Sequence, residues 1–415
     1  MTAQRDTEGK ALNSETILIT FLGAGSKDRQ KRYREAQYQF NNGVVEKTRF
    51  FGLSLCRQLK ADRLVILGTA GSIWDVLLIE QDTFDVSSAA IESLIEAADA
   101  NQVSKSLLDE FAPVLSRNLG IEVNLDIIPY GDSSEGQREI VSLMSAYAGD
   151  ANAVHIDITH GLRHLPIISL ASAQVIGAAL GRAIDGIHYG ALELTRNGVT
   201  PVVALSGLLE IQDWVSAFAA FEYSRDYGIF IPLLRYKISD KALDHLRMAS
   251  FFERLNDTGK SREQLRKFNQ ANANYRPQSA LENLFFPELE KRISWVLGGS
   301  LAERQLNLSR MHLENGDYLR AVIMAFESWI SAAVKRGRGP ETSYPAREKA
   351  AKALAKQSNE AKREAFKTLR QIRNAVTHGV RPDTRAAQQA ILNPTVMQAV
   401  LVDTLAEIDR YIHQV

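Results

Sequence analysis

The sequence predicts an α/β domain followed by a wholly helical region, and two observations support this. Up to residue 207, short apolar and β-branched runs such as TILITF alternate with helical patterns such as SSAAIESLIEAADA. That alternation indicates a mostly parallel sheet with helices on both faces. Beyond residue 208 the strand signals stop and one helical pattern follows another. We therefore expect an α/β domain over 1–207, a helical linker region over 208–300 and a helical domain over 301–415.

Composition limits the class of protein. The 415 residues exceed what one hydrophobic core usually supports, so several domains are expected. Lys and Arg together number 49, as do Asp and Glu, so any basic site has to be local rather than a property of the whole chain. The single cysteine, Cys56, lies in an apolar run and cannot form an internal disulfide, which favours a cytoplasmic location. No signal peptide or membrane-spanning run is evident, and no membrane partner is expected.

Three of the expected strands end in loops of small or polar residues. These loops are FLGAGS at 21–26, GTAGS at 68–72 and DITHGLRHLP at 157–166. Because ligands bind at the carboxyl ends of parallel strands, we expect the three loops to gather there. Small residues let backbone N–H groups approach phosphate, and Thr159, His160 and Arg163 add a hydroxyl, an imidazole and a guanidinium. The loops therefore suggest a nucleotide site, with tight structural turns as the simpler alternative for the glycines.

Other site types fit these loops less well. The glycines match neither the dinucleotide fingerprint nor a P-loop, and no nucleophile elbow of a serine hydrolase is present. His155, His160 and His164 lie close together in sequence, but strand geometry separates His155 from the loop. No cysteine pair or carboxylate cluster accompanies them. We therefore expect no metal site and no cofactor.

The segment RQIRNAVTH at 370–378 contains a second constellation, made of Arg373, Asn374 and His378. Gly379 and Pro382 predict that a helix ends there, which puts His378 in the last turn, where the helix dipole favours a protonated imidazole. Cleavage of RNA through its own 2′-OH needs a cation on the phosphoryl oxygens and groups that move protons. These three side chains supply both without a metal, although a surface arginine and a capping histidine form the simpler interpretation.

The surrounding sequence favours the RNA interpretation. From Lys335 to Arg385 there are fourteen Lys or Arg against five Asp or Glu, and a local basic excess suits the backbone of single-stranded nucleic acid. Ion pairs along the helices, such as Glu348 with Lys352, are the alternative use of these charges. Five acids cannot neutralise fourteen bases, so unpaired positive charge is expected to remain.

Taken together, FLGAGS, LGTAGSIWD, DITHGLRHLP and RNAVTH resemble the CRISPR-associated ribonucleases of type III systems that join a CARF domain to a HEPN domain. The resemblance implies a Rossmann-like CARF domain, a helical linker region and a C-terminal HEPN domain. It further implies an antiviral endoribonuclease that a cyclic oligoadenylate activates, that cuts single-stranded RNA without metal and that leaves a 2′,3′-cyclic phosphate. A homodimer or higher homo-oligomer, with a HEPN site shared between two copies, is also implied.

By position, the resemblance makes Arg373, Asn374 and His378 catalytic. The residues implied to bind the effector are Gly23, Ala24, Gly25, Ser26, Thr69, Ala70, Gly71, Ser72, Thr159, His160, Gly161 and Arg163. Glu327 could support the catalytic site, but a polar residue on a half-buried helix is the preferred interpretation. Whether the ring has four or six adenosines stays open, as does the preferred RNA sequence.

Two alternatives remain at the level of the sequence. In one, the CARF domain is itself a ring nuclease that degrades the cyclic oligoadenylate, and linear oligoadenylate would then form without added RNA. In the other, the protein is a nucleotide-sensing regulator without catalysis, and RNA would stay intact when the effector is saturating.

Overall fold

A computed structural model describes residues 15–24, 35–83, 85–149, 151–181, 184–297 and 299–414. The chain forms two compact units, which divide between Gln212 and Asp213. The division falls inside one helix, Ser206–Ser224. The predicted domain limits at residues 207 and 300 stay predictions.

The first unit is built on an eight-stranded sheet of the described residues. Its strands are β1 Thr16–Leu22, β2 Ala36–Gln39, β3 Val45–Thr48, β4 Arg63–Gly68, β5 Glu122–Ile127, β6 Ala153–Asp157, β7 Gly186–Gly190 and β8 Val199–Ala204. They lie in the order β3-β2-β8-β7-β6-β1-β4-β5. Strands β7, β6, β1, β4 and β5 run parallel to one another. The carboxyl ends of β6, β1 and β4 therefore meet at one edge.

Helices cover both faces of this sheet. They are α1 Phe51–Leu59, α2 Trp74–Glu80, α3 Ser88–Ala100, α4 Lys105–Leu119, α5 Ser134–Ala148 and α6 Leu165–Leu180. In β1, Leu18 and Leu22 share a core with residues of α1 to α4, whereas Ile17 and Ile19 share one with residues of α5 and α6. This alternation is the period of two that a strand imposes on its side chains. It confirms the prediction of a mostly parallel sheet with helices on both faces.

The other end of the sheet is mixed: β7 with β8 and β2 with β3 pair antiparallel, whereas β8 and β2 pair parallel. Between β7 and β8, Asn197 and Gly198 have φ angles of 53° and 78°, the left-handed conformation that an Asn-Gly pair favours in a turn. Strands β2 and β3 were not predicted. Both are short and polar, and only Tyr38 of β2 is buried.

The second unit is helical throughout its described residues. Its helices are α7 Ser206–Ser224, which begins in the first unit, α8 Ile231–Leu234, α9 Asp240–Arg254, α10 Thr258–Ala271, α11 Ala280–Ile293, α12 Leu301–Glu314, α13 Tyr318–Arg336, α14 Tyr344–Ala355, α15 Glu360–His378, α16 Arg385–Leu392 and α17 Pro394–His413. The predicted change from α/β to all-α is confirmed. No helix of the described residues has the length and apolar character needed to cross a bilayer.

Two hydrophobic clusters hold the helices of the second unit together. One contains Trp214, Phe230 and Phe285, and the last two rings are 4.3 Å apart between centroids. The other is formed by α12 to α17, where the Trp329 and Phe366 rings meet edge to face at 5.5 Å. Helices α12 and α13 contribute residues to both clusters, so the two clusters are joined through these helices.

The close approach of α1 to β1 makes a glycine necessary at position 52. A Cβ on Gly52 would lie 2.9 Å from the Cβ of Thr20, whose hydroxyl donates to Asp157 at 2.6 Å. Gly52→Ala is therefore expected to lower the free energy of unfolding by about 1–3 kcal/mol in urea titrations. Gly207→Ala is the control, since a Cβ there meets nothing within 4 Å. Its effect should stay below about 1 kcal/mol, and equal losses in both variants would contradict the packing described.

Candidate functional site

The loops after β1 and β4 lie against each other at the carboxyl edge of the sheet. The Ser72 hydroxyl donates to the carbonyl oxygen of Leu22 at 2.7 Å, and the backbone N–H of Ile73 donates to that of Gly23 at 3.1 Å. Two of the predicted loops are thus in direct contact. Of the first loop's predicted residues, Gly23 is buried and Ala24 is exposed, while Gly25 and Ser26 lie outside the described residues.

In the second loop the hydroxyl side chains point inward. Thr69 and Ser72 are both buried, and the backbone N–H of Thr69 donates to the Ser72 hydroxyl at 2.9 Å. Their side chains therefore hold the loop's own shape. Ala70 and Gly71 are half-buried between them, and they are the part of this loop that remains accessible.

Two residues that the sequence analysis did not identify, Asn101 and Tyr130, lie close to this loop. A Cβ on Gly71 would lie 2.6 Å from Asn101 Oδ1 and 2.9 Å from the Tyr130 hydroxyl. Asn101 follows α3, and Tyr130 follows β5 with 46% of the residue's surface exposed. The rule that predicted the other loops applies equally to the loop after β5, so Tyr130 could have been found by it.

A buried carboxylate organises the third loop. Asp157, at the end of β6, is fully buried and accepts hydrogen bonds from the Thr20 hydroxyl at 2.6 Å and the backbone N–H of Thr159 at 2.8 Å. Burial raises the pKa of Asp157 to about 6, and these hydrogen bonds offset part of the rise. The Thr159 hydroxyl in turn accepts from the backbone N–H of Gly190 at 2.8 Å. Asp157 and Thr159 therefore link β1, β6 and β7 beneath the loop.

The remaining residues of this loop differ in what they offer a ligand. His160 turns inward to a small cavity with Phe50 and Leu53. Burial lowers its pKa to about 4, and a hydrogen bond with the backbone of Arg49 offsets only part of that. The imidazole is therefore neutral near pH 7 and brings no charge to a phosphate. Gly161, with a φ of 103°, and Arg163 are exposed, so Arg163 is the cation of this loop that a ligand can reach.

The three histidines considered for metal binding have separate partners. His155 Nδ1 lies 3.1 Å from Nε2 of His188 on β7, while His164 Nε2 donates to the carbonyl oxygen of Tyr130 at 2.7 Å. His160 lies in the cavity already described. Over the part of the chain that the structure describes, no three side chains of metal-binding type lie together.

Arg373, Asn374 and His378 all lie on α15, which ends where the sequence predicted. His378 is its last residue and is exposed, and Gly379 follows in the left-handed conformation with its N–H bonded to the Ala375 carbonyl at 2.9 Å. Arg373 is half-buried and donates from Nη1 to Asn374 Oδ1 at 3.0 Å. Arginine and amide therefore form a pair near the helix end.

The stacked rings of Phe326 and Phe366, which we call the aromatic shelf, pack against the Arg373 guanidinium through Phe326. The Phe326 ring of α13 lies 5.3 Å from the guanidinium carbon and stacks on Phe366 of α15 at 5.6 Å. His378, five residues further along, is rotated by about 140° from Arg373 on an ideal helix. Within one chain, Arg373 therefore lies on the side of α15 that packs against α13, whereas His378 lies on a different side.

Part of the basic excess around α15 is neutralised and part is not. The predicted pair of Lys352 and Glu348 is present at 2.7 Å, and Lys362 reaches Glu407 of α17 at 3.3 Å. Among the described residues no ion pair is found for Arg370, Arg381 or Arg385, which are all exposed. These three arginines are available to an external anion.

Glu327 of α13 has a structural partner. Its carboxylate pairs with Arg347, which also donates to the Ser331 hydroxyl at 3.0 Å and to the backbone oxygen of Glu341 at 2.7 Å. Arg347 therefore binds the loop after α13 to that helix. This arrangement favours the structural interpretation of Glu327 over a role in the chemistry.

Comparison with known proteins adds to this geometry. Residues 17–192 match the family described as CRISPR system endoribonuclease Csx1, CARF domain. The chain is also 25% identical over 394 residues to CRISPR-associated protein MJ1674 of Methanocaldococcus jannaschii, across 87% of this chain and 62% of that protein. It thus spans about three fifths of that relative's length. The first unit is thus similar to the CARF domain of a CRISPR-associated family, and the family match covers no part of the second unit.

The buried state of His160 predicts a pH dependence of stability. A folded pKa of about 4 lies below the ordinary value of 6.5, so between these values the unfolded chain binds more protons and stability falls as the pH falls. His160→Asn keeps an N–H donor but does not titrate there. Between about pH 7.5 and about pH 5 the variant should lose about 2 kcal/mol less stability than the parent in urea titrations. Identical losses would show that His160 does not titrate as a buried group.

Proposed function

We propose that this CRISPR-associated protein is an endoribonuclease that a cyclic oligoadenylate activates and that cuts single-stranded RNA without a metal ion in type III defence. The observation that carries the proposal is the hydrogen-bonded pair of Arg373 and Asn374 on a basic helix whose last residue is the exposed His378. The match of residues 17–192 to the CARF domain of an endoribonuclease family supports the sensing part. A HEPN identity for the helical domain is part of the proposal.

The chemistry uses the RNA's own nucleophile. The 2′-oxygen forms a bond to phosphorus while the bond from phosphorus to the 5′-oxygen breaks, which leaves a 2′,3′-cyclic phosphate. The proton of the 2′-hydroxyl is taken up, and a proton is delivered to the departing 5′-oxygen. Arg373 stabilises the charge that develops on the phosphoryl oxygens, and Asn374 orients Arg373 through their hydrogen bond. His378, the exposed last residue of α15, moves protons.

A second copy of the chain completes the site. Arg373 and His378 diverge by about 140° on one helix, so a phosphate bound at one is poorly placed for the other. When two α15 helices face each other across a twofold axis, each arginine meets the partner's histidine. The active form is therefore a homodimer, or a larger assembly built from it.

The effector binds at the carboxyl edge of the sheet. Backbone N–H groups of Ala24, Ala70 and Gly71 and the exposed guanidinium of Arg163 suit phosphates. Tyr130 offers an aromatic face on which an adenine can stack. Effector binding activates only by favouring the arrangement of two copies in which their α15 helices are correctly opposed.

A cleavage assay tests the proposal directly. Labelled single-stranded RNA in EDTA is expected to be cut with either cyclic tetra-adenylate or cyclic hexa-adenylate and left intact without a ring. Arg373→Ala and His378→Ala should each lower the rate at least about a hundredfold. Arg410→Ala is the control and should retain most of the activity, because Arg410 is exposed on α17 and its charge is already paired with Glu407 at 2.9 Å. Intact RNA while a ring is bound would leave only a sensor, and linear oligoadenylate forming without RNA would indicate the ring nuclease.

The contact between the Phe326 ring and Arg373 leads us to expect a second, smaller effect on the rate of cleavage. Phe326→Leu removes the ring beneath Arg373, and loss of a cation–π contact should lower kcat about threefold to tenfold with KM for RNA nearly unchanged. Phe326→Tyr keeps the ring and should retain the parent's kcat. A purely structural role would instead be indicated if both variants lost stability and activity together, as thermal unfolding would reveal.

A further inference from the structure

A cavity of about 610 Å³ opens between α10 and α11 in the second unit. Its volume lies within the range of about 300–1,000 Å³ that is typical of ligand-binding pockets. Its lining residues come from α10, α11, the loop between these helices and the short turn after α11. None of them belongs to α15 or to the loops of the first unit, so the cavity is separate from both sites described above.

The walls of the cavity are apolar and its rim carries amides. Phe268 and Leu289 are buried in the walls, and the half-buried Phe286 lies beside Tyr275 at 5.2 Å between ring centroids. Asn269 and Asn272 line the same space, and no hydrogen bond of either side-chain amide is found within the described residues. Each amide therefore keeps a carbonyl acceptor and an NH₂ donor for a ligand.

A buried carboxylate fixes the loop that lines this space. Glu282 has 1% of its surface exposed and accepts from the Tyr275 hydroxyl, from the backbone N–H of Gln278 at 2.7 Å and from Lys237 at 3.2 Å. Arg276, between Tyr275 and Gln278, uses Nη1 to donate to the backbone oxygens of Ala273 and Tyr275. The loop that carries Tyr275 and Arg276 is therefore held in place before a ligand arrives, which lowers the free-energy cost of ordering it on binding.

We propose that this cavity binds a nucleobase of the single-stranded RNA, an inference that rests on the proposed function. The two apolar faces of a base fit the aromatic and aliphatic walls of the cavity. Its polar edge can form hydrogen bonds with the amides of the rim. Guanidinium N–H groups of the exposed Arg276 that are not used in the loop can reach the adjoining phosphate. An amphipathic peptide helix would cover the apolar walls but would leave the amides of Asn269 and Asn272 without partners.

The test compares RNA that carries bases with abasic RNA of the same length. Both RNAs are labelled with a fluorophore, and their anisotropy is measured with the full chain carrying His378→Ala and with saturating effector, so that no cleavage interferes. Asn272→Ala in this background should raise Kd for the base-carrying RNA about tenfold and leave Kd for the abasic RNA unchanged. Arg266→Ala is the matched control, since Arg266 is exposed on α10 and is not part of the lining.

Each outcome decides the inference. Equal binding of both RNAs by the parent, or an Asn272→Ala variant that folds normally and loses no affinity, would overturn it. Equal weakening of both RNAs would also overturn it, because it would indicate a contact with the RNA backbone. If the protein with His378 intact cuts no RNA while the base-dependent effect of Asn272→Ala remains, the proposed nuclease fails and the base site stands.

Discussion

The geometry of one α-helix, α15, is the constraint on which the proposed function depends. Five residues rotate through about 140°, so α15 holds Arg373 over the Phe326 ring on its packed side and presents His378 elsewhere at its end. The two groups are complementary in chemistry and separated in space. In the proposed function, a second copy related by a twofold axis resolves that separation. Under that proposal, control of cleavage is control of how two copies meet.

In the first unit, the residue that fixes the structure around the third loop is Asp157. This carboxylate is fully buried, and its hydrogen bonds join β1 to the loop that follows β6. A ligand that shifts Thr159 therefore acts on residues tied to the centre of the sheet rather than on an independent surface loop. Binding energy can change an equilibrium only where it differs between two states. A loop coupled to buried strands is suited to produce such a difference.

Much of this could be predicted from the sequence, because periodicity and end signals are local properties. The parallel strands, the helical second half and the end of α15 at Gly379 all follow from such signals. The inward position of His160 could not be predicted, since it depends on the packing of α1 against β1 through Gly52. Strands β2 and β3 were missed because their polar residues carry no apolar alternation. Asn101 was missed because only the folded chain brings the end of α3 over Gly71.

A subunit-mixing experiment tests most directly whether two copies form one catalytic site. Parent chains and chains carrying both Arg373→Ala and His378→Ala are unfolded together, refolded at varied ratios and assayed for RNA cleavage with effector. In a shared site a mixed dimer has no complete pair, so activity should follow the square of the parent fraction, with roughly a quarter remaining when half of the chains are intact. Activity that falls in direct proportion to the parent fraction would show that each chain cuts RNA alone.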